Sequence, residues 1–124
     1  MLSSARSPAV LLIVDDEPLL RILAIDIAED AGFACLEASS ADEAMLFLAT
    51  RADIALVFTD IEMPGSLNGL DLAKKIDDEW PSIGVIVVSG KQSPASHDLP
   101  LRGHFLAKPY DSSQLLRMLR MLTS

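Results

Sequence analysis

Short runs of β-branched and other apolar residues alternate along the chain with longer segments in which apolar positions recur every three or four residues. The short runs read as buried strands and the longer segments as amphipathic helices. Strands are predicted over Ala9–Val14, Phe33–Ala38, Ile54–Thr59, Gly84–Ser89 and His104–Ala107. The first, third and fourth are almost continuously hydrophobic, as strands covered on both faces are, which puts them at the centre of the sheet. Helices are predicted over Pro18–Ala31, Ala41–Thr50, Gly69–Glu79 and Ser113–Leu122.

The helix ends are marked by local chemistry. Pro18 opens the first helix, where its missing N–H costs nothing, and Gly32 stops it. Ser40 caps the second with Glu43 three residues on, Asn68 caps the third before Trp80-Pro81 stops it, and Asp111 or Ser112 caps the last. On the first helix Leu20, Leu23, Ala24, Ile27, Ala28 and Ala31 form the inward stripe, which leaves Leu19, Ile22 and Ile25 facing outward. Between the fourth and fifth strands, Gly90–Gly103 contains two prolines and two glycines, so the fourth helix is short or missing there. Strands that alternate with helices in this way give an α/β fold, a doubly wound parallel sheet of five strands with helices on both faces.

Length allows one domain: 124 residues, half of them apolar, with residues 1–8 expected to be a disordered segment and residues 9–124 the folded unit. Ten Lys and Arg stand against 18 Asp and Glu, a net charge of −8 without a basic run. Such a surface has no electrostatic reason to bind nucleic acid or an anionic membrane directly. No uninterrupted apolar stretch exceeds six residues, far short of the roughly 20 that cross a bilayer, and a cytoplasmic location is expected. Cys35 sits in an apolar run and reads as a small core residue.

In open parallel sheets ligands bind beyond the carboxyl ends of the strands. Here strand one runs into Asp15-Asp16-Glu17, strand three into Asp60 and then Glu62, strand four into Ser89, and strand five into Lys108-Pro109. Singly, each has an ordinary reading as a helix cap, turn residue or solvated charge. Together they place several carboxylates, a hydroxyl and an ammonium on one edge. Clustered carboxylates demand a cation, and an all-oxygen set suits Mg²⁺ or Mn²⁺. With charge so neutralised, an aspartate can attack phosphorus while Lys and Ser donors hold the phosphoryl oxygens. Asp60 is the natural nucleophile, because it ends the central strand between the other groups.

Leu12-Ile13-Val14-Asp15-Asp16-Glu17-Pro18, Thr59-Asp60-Ile61-Glu62-Met63-Pro64, Val87-Val88-Ser89-Gly90 and Phe105-Leu106-Ala107-Lys108-Pro109 together resemble the receiver domain of two-component response regulators, from Val10 to Leu122. The resemblance implies a sheet of order 2-1-3-4-5. It further implies that Asp60 accepts a phosphoryl group from a phosphohistidine, with Asp16 and Asp60 as direct Mg²⁺ ligands, Asp15 binding mainly through water, and the Glu62 backbone carbonyl as a further ligand. Ser89 would be the switch hydroxyl, Lys108 the cation bridging Asp60 and the phosphoryl group, and Phe105 the aromatic switch residue. A cis peptide bond is implied at Lys108-Pro109.

The same likeness makes a histidine kinase or histidine phosphotransfer protein the phosphoryl donor, with the apolar residues on the outer face of the first helix as docking patch. Arg117, Arg120 and Met121 on the last helix are candidates for a homodimer or downstream-protein contact. Glu62 and Lys91 hold the positions that influence water access to the phosphate, and an ion pair between them would slow dephosphorylation. The chain departs from the family pattern in a loop, Gly65-Ser66-Leu67-Asn68, that looks one residue longer, and in the abbreviated fourth helix. A signalling switch without an output domain on this chain is the expectation, not a multiple-turnover enzyme, and the initial Met1 favours a stand-alone regulator. The competing readings are a metal-dependent phosphatase of the haloacid-dehalogenase type, whose second acid would be Asp where this chain has Glu62, and a degenerate receiver that binds partners unphosphorylated.

Overall fold

The computed structural model describes residues 10–91, 99–100 and 102–123. The segment expected to be disordered, residues 1–8, and residues 92–98, in the stretch expected to hold a short helix or none, lie outside the described residues. In chain order the elements are β1 (Val10–Val14), α1 (Pro18–Asp30), β2 (Ala34–Ala38), α2 (Ala41–Thr50), β3 (Ile54–Asp60), α3 (Gly69–Glu79), β4 (Gly84–Ser89), β5 (Gly103–Ala107) and α4 (Ser112–Thr123). The five strands pair in parallel in the order β2-β1-β3-β4-β5, so the predicted 2-1-3-4-5 sheet is present.

Alternation along the strands divides the interior in two. Leu12, Val14, Val57, Val85 and Val87 face α2 and α3, whereas Leu11, Ile13, Phe58, Ile86 and Val88 face α1 and α4. Every residue of β1 and β4 is buried, which is why these strands read as unbroken hydrophobic runs.

Local chemistry sets the helix ends. Gly32, at φ +95°, lets α1 finish with Gly32 N–H donating to Glu29 O at 3.0 Å and Phe33 N–H to Ala28 O at 3.1 Å, the paired bonds of a Schellman motif. Asn68 and Asp71 cap α3 reciprocally, and Asp111 and Gln114 do the same for α4. At α2 the Ser40 hydroxyl accepts from Glu43 N–H, but the Glu43 carboxylate reaches Ser39, one residue earlier than the expected box requires.

Helix α1 is rolled relative to the periodicity-based expectation. Ala24 and Ala28 are its buried positions, and their small side chains let the helix lie close on the sheet. Leu23, expected inward, is 50% exposed, while Ile25, expected outward, packs against the α1/α4 side of the core. Leu19 and Ile22 are exposed as expected. An apolar-rich helix has more hydrophobic positions than its contact face can bury, so periodicity alone does not choose among them.

Gly69, the first residue of α3, lies against the end of β3. Its N–H donates to Ile61 O at 3.0 Å, and a Cβ there would stand 2.1 Å from the Asp60 carbonyl oxygen. Whatever the length of the preceding loop, the helix can approach the strand end only without a side chain at this position. Gly69→Ala is expected to destabilise the domain by about 1–3 kcal/mol, the usual cost of overpacking, read as a lower urea midpoint at unchanged slope.

Candidate functional site

The carboxyl ends of β1, β3, β4 and β5 meet at one edge of the sheet, and the residues singled out from the sequence gather there. Asp60 is the last residue of β3 and Ser89 the last of β4. Asp15 follows β1, held by its N–H donating to Ala38 O at 3.1 Å. Lys108 follows β5, and its N–H donates to Ser89 O at 3.0 Å, so β4 and β5 deliver hydroxyl and ammonium together. The Lys108–Pro109 bond is cis, as expected.

Asp15, Asp60 and Ser89 are buried and Asp16 is half-buried. One carboxylate oxygen from each of Asp15, Asp16 and Asp60 lies within 4.8 Å of the others. Lys108 Nζ stands 3.5 Å from Asp60 Oδ2. Asp60 Oδ1 is buried with no hydrogen-bond partner among the described residues. A buried carboxylate oxygen without a donor costs free energy unless a cation or proton meets it. With three hard oxygen donors converging, the side chains fit a magnesium or manganese ion.

Burial raises the pKa of Asp60; the nearby Lys108 ammonium lowers it, and the Asp15 and Glu62 carboxylates raise it further. Asp15 is raised chiefly by burial as well, against the lowering effects of the Glu17 N–H, which it accepts at 2.9 Å, and of Lys108. The Tyr110 phenol, edge-on to Phe58, is pushed up to about 12 by burial and by the charges of Asp15 and Asp60.

Ser89 Oγ donates to Glu62, 2.9 Å from Oε1 and 2.8 Å from Oε2, and accepts the Lys91 N–H at 3.0 Å. Glu62 and Lys91 thus meet at the hydroxyl, one through its side chain and the other through its backbone. Phe105 stands apart from the carboxylates, half-buried against the α2/α3 side of the core and opposite Val87 in the sheet register. Beside the site a cavity of about 640 Å³ opens between α1 and the segment after β5, with Leu20, Leu23, Ile27 and Tyr110 in its walls and Asp15 and Lys108 also lining it.

Two supporting residues were not singled out from the sequence. Arg21 donates from Nη1 to Asp15 O at 2.7 Å and from Nε to Glu37 Oε1 at 2.7 Å, tying α1, the end of β1 and β2 together. The available cue was a cation near a helix N-terminus, where the dipole disfavours it and some other partner must hold it. Gly69 is the second, and its cue was the glycine that follows the acceptor loop.

Because both raised carboxyls are easier to protonate folded than unfolded, the stability they contribute is fully present below the ordinary value of 3.8 and is lost as pH rises through their folded-state pKa values. The double substitution Asp15→Asn, Asp60→Asn removes this loss. Its melting temperature in metal-free buffer is expected to rise relative to the parent from about pH 4 upward, and added Mg²⁺ at neutral pH to stabilise the parent but not the variant.

Comparison with known proteins agrees with this geometry. The family described as the response regulator receiver domain matches residues 11–120. Nitrogen assimilation regulatory protein NtrX of Azorhizobium caulinodans is 36% identical over 110 residues, which are 86% of this chain and 24% of NtrX. Chemotaxis protein CheY1 of Helicobacter pylori is 30% identical over 118 residues, 90% of this chain and 94% of CheY1. The crystal structure of a response regulator receiver protein from Pseudomonas putida aligns with a TM-score of 0.83 at 31% identity, over 94% of this chain and 99% of that one. The chain therefore spans about a quarter of NtrX and nearly all of CheY1. From the parallel sheet, the acidic cluster at its edge and the match along nearly its whole length, the chain belongs to the response regulator receiver domain family.

Proposed function

We propose that this chain is a phosphorylation-controlled switch whose Asp60 accepts a phosphoryl group from the phosphohistidine of a sensor kinase or phosphotransfer protein. The observation that carries the reading is the placement of Asp60: its carboxylate lies among those of Asp15 and Asp16, with the Lys108 ammonium 3.5 Å away. An Asp60 oxygen attacks phosphorus, the P–N bond breaks, and its electron pair returns to the imidazole nitrogen. Lys108 lies on the side where negative charge gathers on the transferring oxygens. Magnesium held by Asp15 through water, by Asp16 and Asp60, and by the Glu62 backbone carbonyl would neutralise the carboxylates and polarise the phosphoryl group. Hydrolysis of the acyl phosphate later returns Asp60 and inorganic phosphate, so the group is held for a time rather than turned over.

The phosphoryl group adds about one net negative charge and three acceptor oxygens, which Lys108 and Ser89 are placed to meet. Ser89 and Phe105, on adjacent strands, carry the change outward to a downstream protein, a second copy of this chain, or an onward phosphoryl acceptor. The switch works in the cytoplasm and itself binds neither nucleic acid nor membrane; no helix among the described residues is long and apolar enough to cross a bilayer. The donor docks on α1, where Leu19 is 69% and Ile22 and Leu23 are 50% exposed and Leu23 lines the apolar cavity that reaches Asp15 and Lys108. Glu62 and Lys91 flank the phosphoryl position, pair across it and restrict water.

Incubation with Mg²⁺ and acetyl phosphate should add the mass of one phosphoryl group, and Asp60→Asn should abolish it. Leu19→Ser with Ile22→Ser should leave labelling by acetyl phosphate intact while slowing transfer from a phosphohistidine protein about tenfold or more. An unmodified parent chain would overturn the reading. Lys91→Ala is expected to shorten the lifetime of the aspartyl phosphate, and an unchanged lifetime would remove Lys91 from this role.

A further inference from the structure

The Ser89 hydroxyl sits beside the acceptor, yet its proton is directed at Glu62. Both Glu62 carboxylate oxygens lie within hydrogen-bond distance, at 2.9 and 2.8 Å, while the Lys91 N–H occupies an acceptor lone pair of the same oxygen at 3.0 Å. The backbone contact turns the hydroxyl so that its single proton faces the carboxylate. Ser89 is 2% exposed and Glu62 half-buried, so the bond is partly sheltered from bulk water. A hydroxyl that donates to an ionised carboxylate makes a charge-assisted bond, stronger than one to a neutral acceptor.

We propose that Glu62 is a positioning residue that latches the Ser89 hydroxyl in the unphosphorylated protein and competes with the phosphoryl group for its one proton. The inference rests on the phosphoacceptor reading of Asp60. A serine hydroxyl has one hydrogen to donate, so it serves the Glu62 carboxylate or a phosphoryl oxygen but not both. The latch therefore opposes the inward turn of Ser89 and holds the resting state against partial or accidental activation. The same carboxylate already acts on Asp60 electrostatically, raising its pKa. Phosphorylation places further negative charge before Glu62, which drives the two apart once the hydroxyl has transferred. Glu62 thus sets how much of the phosphoryl group's binding strength is left to move the switch.

Beryllofluoride, a stable stand-in for the phosphoryl group on Asp60, gives the test at saturating Mg²⁺. Glu62→Gln keeps the size and an acceptor oxygen but removes the charge, and should bind beryllofluoride about tenfold more tightly than the parent, the order expected for weakening one charge-assisted hydrogen bond. Glu62→Ala should do the same or more, which guards against a fault peculiar to the glutamine. In a Ser89→Ala background the Glu62→Gln gain should shrink to less than about twofold, because no hydroxyl is left to compete for. A gain that persists undiminished without the hydroxyl would mean that Glu62 acts only by repulsion through space and would overturn the latch. Unchanged affinity in both Glu62 variants would overturn it equally. A parent chain that does not bind beryllofluoride at all would fail the phosphoacceptor reading itself, and the latch with it.

Discussion

The crowding of like charges at the carboxyl edge of the sheet is the constraint around which this molecule is organised. Asp15 and Asp60 are buried beside one another with Asp16 at the rim, and the Lys108 ammonium near Asp60 offsets only part of their charge. Burial weakens solvation of the ionised forms, and proximity makes each carboxylate a cost to the next. Ordinary core packing would discard such an arrangement. Its persistence at the ends of largely apolar strands means that the fold spends stability to keep a site whose oxygen donors fit a cation.

The surrounding framework supplies rigidity where the site has none of its own. Hydrogen bonds from Asp15 N to β2, from Ile61 N to Val88 O and from Lys108 N to Ser89 O fix the backbones that carry the reactive groups. Arg21 clamps the Asp15 carbonyl and reaches Glu37 with the same guanidinium, so one side chain locates α1 against two strands. Gly69 permits α3 to rest directly on the peptide group of Asp60. Within this shell the Ser89 hydroxyl donates to the Glu62 carboxylate, the bond on which the proposed latch turns.

The apolar side of α1 adds a second demand. Helix α1 carries more hydrophobic residues than its core face accommodates. Ala24 and Ala28 take the buried positions, and Leu19, Ile22 and Leu23 stay at the surface, Leu23 lining an open apolar cavity. Leu23 adjoins the carboxylate edge through the cavity that Asp15 and Lys108 also line.

Much of this was legible along the chain. Unbroken hydrophobic runs identified β1, β3 and β4 as central, caps and glycines bounded the helices to within a residue or two, and Asp15, Asp16, Asp60, Ser89 and Lys108 each ended or followed a strand that had to end at the same edge. These features depend on local periodicity and on topology, both of which a linear pattern encodes. Tertiary structure alone decided which side of α1 faces the sheet, because Leu23 and Ile25 are equally hydrophobic and only the close approach allowed by Ala24 and Ala28 distinguishes them. It likewise decided the partners of Glu62, Arg21 and Gly69. Glu62 and Ser89 are 27 residues apart, and whether a carboxylate meets a hydroxyl across that separation depends on distances of a few tenths of an ångström that no spacing in a sequence can carry.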